Sequence, residues 1–251
     1  MIDKRVLYVN GCSGTYGDGL QNPTDENFSV NLKNIFPFEE CINDSQCGGS
    51  NHRIVRRTID FLLENKEHWN DLFVLIGWTC VNRTEFWSDF DKKWLWVNQY
   101  RQSETSEKGH KARTFYKNLW NETESFTDYF LNVLELQSFL KLNNIKYYMF
   151  RSFAFQNPIT NAYLGGDEDF KFYERLVNDG SIPKTYLDAI DSKYFPSFVN
   201  FNKSWHWVIN DYKRKDGRTF AEHYPVHPNK EEHHMFSEWV EKEIKKVYSE
   251  E

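Results

Sequence analysis

No stretch of this 251-residue sequence approaches the ~18 consecutive apolar residues of a membrane-spanning helix, so no membrane partner is expected. The opening residues, Met1-Ile2-Asp3-Lys4-Arg5, lead straight into a short apolar run. They carry neither the hydrophobic core nor the small-residue cleavage site of a secretory signal, which points to a soluble protein of the cytoplasm. Cysteine is scarce. Cys12, Cys41, Cys47 and Cys80 include no CxxC pair, which argues against a standard zinc module and for reduced thiols. Basic tracts are missing as well: Lys and Arg are scattered and the net charge is −6, so nucleic acid is not an expected partner. No internal repeat or low-complexity linker interrupts the chain, and residues 1–251 read as a single domain with room for a substantial core.

Aromatic carbon is what the sequence has in surplus, at 18% of residues with nine Trp. Such a surplus serves either as flat faces for stacking on sugars or as a large aromatic core, and composition does not separate the two.

Apolar periodicity gives the element order. Residues 6–10 (Val-Leu-Tyr-Val-Asn), 40–43, 72–76 and 145–150 read as strands. Helical spacing marks residues 27–36, then a helix capped by Ser50 or Asn51 and running to about residue 65, and then residues 126–142. Asn229 and Glu232 form a capping-box-like pair ahead of a final helix with a stripe of Met235, Phe236, Trp239, Val240, Ile244 and Val247. Residues 85–121, rich in Trp and charge, are too long for a simple loop and read as an irregular or helical insertion that shapes a substrate cleft. Residues 155–220 resist assignment. The alternation predicts an α/β fold: a three-layer α/β/α sandwich of flavodoxin-like type around a parallel sheet of about five strands. Sites in such sheets lie past the carboxyl ends of the strands.

Several residues fall in those places. The first strand ends at Asn10-Gly11 and delivers Ser13 into the turn-rich Gly14-Thr15-Tyr16-Gly17-Asp18-Gly19, an arrangement that exposes a nucleophile or makes an ordinary turn. Gly48-Gly49 precedes a helix whose first N–H groups favour an anion, and it also suits a plain tight turn. Arg83 and Glu85 follow the third strand and either orient a substrate or pair with each other. His233 and His234, adjacent on a helix, point in different directions and read as surface histidines. His206, between Trp205 and Trp207, lines a sugar subsite or packs in a core; the core reading is preferred. Cys12, Cys47 and Cys80 each border one of these segments, which leaves a thiol or metal enzyme as a further reading.

Taken together, the blocks resemble the SGNH (GDSL-like) hydrolase family in a divergent form of the kind met in phage-type sequences, which adds a virion to the compartments to consider. Gly11-Cys12-Ser13 is similar to the family's nucleophile block, with Cys12 in place of Asp. Asn43 and Gly48 match the second block. Gly77-Trp78-Thr79-Cys80 matches the third with Thr79 where Asn is expected, and His227-Pro228-Asn229 matches the last. The resemblance implies a serine esterase that hydrolyses an O-acyl, for instance O-acetyl, ester through an acyl-enzyme. The substrate would be a small molecule or a glycan, and no cofactor or metal is called for. Ser13 would be the nucleophile and His227 its base. The Ser13 and Gly48 N–H groups would form an oxyanion hole with a side chain from Thr79 or Asn82. Tyr224 stands where the family places the acid, so Glu222 is the candidate to orient His227, with Asp211 and Asp216 nearby and a backbone carbonyl as the other means. A catalytically silent glycan-binding or phage structural domain is the alternative that these replacements suggest.

Overall fold

The computed structural model describes residues 4–98, 102–152, 174–199, 204–205, 208–209, 211 and 227–249. Four parallel strands form its central sheet: β1 (Val6–Asn10), β2 (Glu40–Asn43), β3 (Leu72–Trp78) and β6 (Lys146–Arg151), in the order β2-β1-β3-β6. The β1–β3 register pairs Val6 with Leu72 and Asn10 with Ile76. The β3–β6 register pairs Phe73 with Lys146 and Trp78 with Arg151.

Period-2 alternation splits the strand side chains between two cores. Tyr8, Val74, Ile76, Tyr147 and Met149 face one side. There they meet Ile54 and Leu62 of α4 (Asn51–Glu64) and Phe130, Val133 and Leu140 of α6 (Glu122–Leu142). Leu7, Val9, Phe73, Leu75, Tyr148 and Phe150 face the other. They pack on Phe28 and Leu32 of α3 (Phe28–Ile35) and on Phe236, Val240 and Ile244 of α9 (Lys230–Tyr248). Both faces are therefore covered, as a parallel sheet requires, and the three-layer α/β/α architecture is present.

Much of the aromatic surplus goes into these cores. Trp205 stacks on Phe236 at 4.6 Å between centroids, and Phe28 meets Phe150, Trp205 and Phe236 edge-on. The helix caps form as their sequence suggests. Ser50 accepts from the Arg53 N–H, and Asn229 and Glu232 make a reciprocal capping box at α9.

The described sheet has four strands, against the about five that the alternation predicts for the whole chain. The outward N–H groups of β6 go elsewhere: Tyr147 N–H donates to Tyr248 Oη (3.1 Å), Met149 N–H to the Tyr194 carbonyl (2.8 Å) and Arg151 N–H to Ser197 Oγ (2.9 Å). Tyr194 and Ser197 belong to the segment containing α7 (Lys184–Ala189) and α8 (Pro196–Val199). Residues 85–121 are helical in part, as expected, but their first half is regular rather than irregular. They contain most of an antiparallel hairpin, β4 (Thr84–Ser88) with β5 (Lys93–Val97), followed by α5 (Glu107–Asn118). The alternating Trp94 and Trp96 belong to β5, a period of two that charge and aromatic content obscured. Among the described residues, no helix is long and apolar enough to cross a membrane.

Candidate active site

From β1 the chain runs outward to β2 and then returns past β1 to β3. The carboxyl ends of β1 and β3 thus flank the topological switch point, where open α/β sheets hold ligands. Past β1, Asn10 fixes the exit of the strand. Its Nδ2 donates to Tyr8 Oη (3.2 Å), the Ile54 carbonyl (3.2 Å) and Thr58 Oγ1 (3.0 Å), while Oδ1 accepts from the Gly11 N–H (2.8 Å) and Arg53 Nη1 (3.2 Å). Two glycines let the next turn close. A Cβ at Gly11 would lie 2.3 Å from Thr15 Oγ1, and one at Gly77 would lie 2.4 Å from the same atom. Thr15 thereby fits between the ends of the two strands.

Ser13 opens the one-turn helix α1 (Ser13–Tyr16) and is 5% exposed. Gly17 stops that helix in the left-handed region at φ 95° and turns the chain back, so that the Asp18 N–H donates to the Ser13 carbonyl at 2.9 Å. Asn43, at the end of β2, donates to the Thr15 carbonyl at 3.0 Å. The loop after β2 is tied to the same turn, since the Gln46 N–H donates to the Gly11 carbonyl at 3.1 Å. Gly48 in that loop has φ +76°, and a Cβ there would meet Asn98 Nδ2 at 3.1 Å and the Trp96 ring at 3.2 Å. The hairpin therefore lies directly over this loop. Among the described residues, neither the Ser13 nor the Gly48 N–H has a hydrogen-bond acceptor.

His227 reaches the same turn from the far end of the chain. A Cβ built on Gly19 (φ +93°) would stand 3.0 Å from His227 Cβ, so the missing side chain is what lets the imidazole lie against this loop. His227 Nε2 is 3.4 Å from Asp18 Oδ2. Burial holds the imidazole below its ordinary pKa; Asp18 opposes that shift and the Arg83 guanidinium adds to it. No hydrogen bond joins Ser13 Oγ to His227.

At the end of β3, Asn51 holds the Thr79 peptide from both sides, accepting from the Thr79 N–H (2.9 Å) and donating to the Thr79 carbonyl (3.3 Å). Thr79 Oγ1 is buried without a hydrogen-bond partner among the described residues. Asn82 is 1% exposed, and its carbonyl accepts from Tyr116 Oη at 2.7 Å. Arg83 is buried at 7% exposure, and its charge acts on both His227 and Tyr116.

Glu85 does not pair with Arg83. Its carboxylate takes the Arg56 guanidinium of α4 in a bidentate pair at 3.1 and 3.3 Å. Arg56 also lies 4.4 Å from the Trp94 ring centroid, so one side chain holds both strands of the hairpin to α4. His233 is not at the surface. It is fully buried, and its Nδ1 accepts from the Phe28 N–H at 3.2 Å; His234 is exposed beside Glu238. Glu222, Tyr224, Asp216 and His206 lie outside the described residues.

None of the four cysteines is in a disulfide. Cys47 bonds to Asp18 and feels Cys12, and burial together with the Asp18 charge pushes its thiol up to about 11. That thiol stays protonated at neutral pH, which is the opposite of what a cysteine nucleophile needs. Cys80 bears on Tyr116 instead. No group of three or more His, Cys, Asp or Glu that could hold a metal ion occurs among the described residues.

Asp18 is the site residue that sequence reasoning missed. Its signal was there: an acid between Gly17 and Gly19, in the turn that follows the serine. The acids near His227 in the chain are Glu222, Asp211 and Asp216, whereas Asp18 comes from the opposite end.

No curated protein matches the sequence. Similar solved structures include esterases and proteins of the G-D-S-L family. The psychrotrophic esterase EstA from Pseudoalteromonas sp. is 15% identical, with a TM-score of 0.49 over 97% of this chain and 98% of that one. A protein described as lipolytic and of the G-D-S-L family, from Desulfitobacterium hafniense DCB-2, is 11% identical, with a TM-score of 0.49 over 96% and 99%. TesA is 13% identical, with a TM-score of 0.48 over 97% and 99%. Identity at this level carries no residue's role from one chain to another. Residues 25–244 match the sequence model of a family described as a family of unknown function (DUF6071), and the chain belongs to that family.

Proposed function

We propose that this protein is a serine ester hydrolase in which Ser13 and His227 act across the switch point of the sheet. One observation carries the reading: an imidazole from near the carboxyl end of the chain packs on the loop that leaves Ser13, against Gly19 and 3.4 Å from Asp18. In this reading Ser13 Oγ attacks the acyl carbonyl carbon and its proton passes to His227. Asp18 occupies the Nε2 side of the ring, which leaves Nδ1 to face the serine, and its carboxylate stabilises the imidazolium as it forms. The tetrahedral oxyanion accepts from the Ser13 and Gly48 N–H groups, both without another acceptor, and from a side chain at Thr79 or Asn82. Each such donor is worth about 3–4 kcal/mol of barrier. Collapse releases the alcohol, which takes the proton back from His227, and a water then cleaves the acyl-enzyme by the same route. Arg83 adjusts the imidazole through its charge and stands where it meets the incoming ester. Glu85 acts at a distance, by fixing the hairpin over Gly48.

The competing reading is a binding domain without turnover, favoured by the lack of a Ser13 Oγ–His227 hydrogen bond. Catalytic contacts commonly tighten only with substrate, so one experiment separates the two. Wild-type protein is treated with a fluorophosphonate probe and assayed on p-nitrophenyl acetate, alongside Ser13→Ala. Labelling at Ser13, with turnover abolished in Ser13→Ala at an unchanged Tm, is the expected result. A wild-type protein that neither labels nor turns over ester gives the binding domain the case.

A further inference from the structure

Beside the candidate active site, a cavity of about 350 Å³ opens between the start of α4, the segment after β3, α5 and α6. It falls within the range of small-molecule sites, roughly 300–1,000 Å³. It shares a wall with the catalytic constellation. Asn51, which grips the Thr79 peptide, lines it, as do Asn82 and Arg83. Arg83 is also the residue whose charge reaches His227. The insertion supplies Phe86, Phe115 and Trp120 to its lining.

Resting on the hydrolase reading, we infer that this cavity is a saccharide subsite that receives the alcohol part of the ester. The chemistry of its lining makes the choice. An apolar chain would cover the charged side chains of Arg83, Glu124 and Asp128 with carbon, at a desolvation cost. An anionic ligand would meet Glu124 and Asp128, and a cationic one would meet Arg83. A neutral polyol avoids both penalties. Each of its hydroxyls donates and accepts, which suits a lining with Arg and amide donors on one part and carboxylate and amide acceptors on another. Its ring also presents C–H faces to aromatic carbon, here Phe86, Phe115 and Trp120. The aromatic insertion thus serves both places: Trp96 of the hairpin covers the Gly48 loop, while Phe86 of the same hairpin joins Phe115 and Trp120 on the sugar side of the cleft.

The test uses Ser125→Trp, which fills the cavity from the α6 side, and Asp128→Ala, which removes an acceptor from its wall. Activity is compared on p-nitrophenyl acetate and on a panel of mono-O-acetylated gluco-, xylo-, manno- and galacto-configured disaccharides. For at least one panel member, each variant should lower the ratio of its kcat/KM to that for p-nitrophenyl acetate about tenfold. Binding of the same panel to Ser13→Ala, followed by NMR, is the readout independent of turnover. Panel binding that Ser125→Trp abolishes upholds the subsite even where no ester is hydrolysed. Wild-type turnover of p-nitrophenyl acetate, with no panel member bound or the ratio unmoved in both variants, overturns the subsite and leaves the hydrolase standing.

Discussion

Asp18 Oδ2 faces His227 Nε2 across 3.4 Å, although 209 positions separate the two residues in the chain (227 − 18). The turn that presents Ser13 therefore also presents a carboxylate to His227, which is the base of Ser13 in the proposed reaction. This pairing has a signature in pH. His227 must be neutral to accept a proton, so kcat/KM rises as pH passes its pKa. Burial and Arg83 place that acid limb below the ordinary histidine value of about 6.5, with Asp18 working against them. Asp18→Asn should move the limb further down and reduce kcat/KM by about tenfold or more; Arg83→Gln should move it up. His233 stays neutral and contributes no limb, and the Cys47 thiol on Asp18, pushed up to about 11, contributes none on the acid side. Profiles of kcat/KM on p-nitrophenyl acetate check both directions, and two variants shifted the same way would sink the pairing.

His233 makes global stability sensitive to acid. Burial, assisted by the His227 charge, lowers its pKa to about 3, against about 6.5 in the unfolded chain. Between those values the unfolded state binds the extra proton. Stability is therefore full above about pH 6.5 and declines on acidification, by up to about 1.4 kcal/mol per pH unit, until about pH 3. Urea midpoints at pH 7, 5 and 4 should follow that slope. His233→Asn keeps an acceptor for the Phe28 N–H and should flatten the dependence.

The Arg56–Glu85 clasp predicts a coupled loss. The Glu85 side chain is 4% exposed, so Glu85→Ala strands a partly buried guanidinium. A loss of about 1–3 kcal/mol is expected in urea unfolding. Turnover should fall as well, because the freed hairpin no longer holds Trp96 and Asn98 against Gly48. A variant that unfolds earlier yet keeps full activity would show the hairpin to be irrelevant to the site.

The layers and most element boundaries were legible in the sequence because they rest on apolar periodicity and on caps, both local signals. Asn229 with Glu232, and Ser50 ahead of α4, are cases where side-chain chemistry alone fixes an end. That Ser13, Gly48 and Thr79 lie past strand ends is legible in the sequence, because a parallel sheet gathers those ends on one side by topology. What escaped was the choice of partner. Glu85 takes Arg56 rather than Arg83, His227 meets Asp18, and His233 turns inward. Each depends on which side of an element a residue presents once packing is complete, and spacing does not encode that. The hairpin escaped for another reason: its strands are half exposed, so their alternation of apolar and polar residues is weak.

The border of β6 that faces away from β3 has a consequence for assembly. Because a tyrosine hydroxyl, a loop carbonyl and a serine hydroxyl take every second amide along that border, an incoming strand would find its docking rungs occupied. Copies of this molecule, or misfolded neighbours, are thereby denied edge-to-edge growth on that side, a protection that proteins otherwise gain from charge or proline.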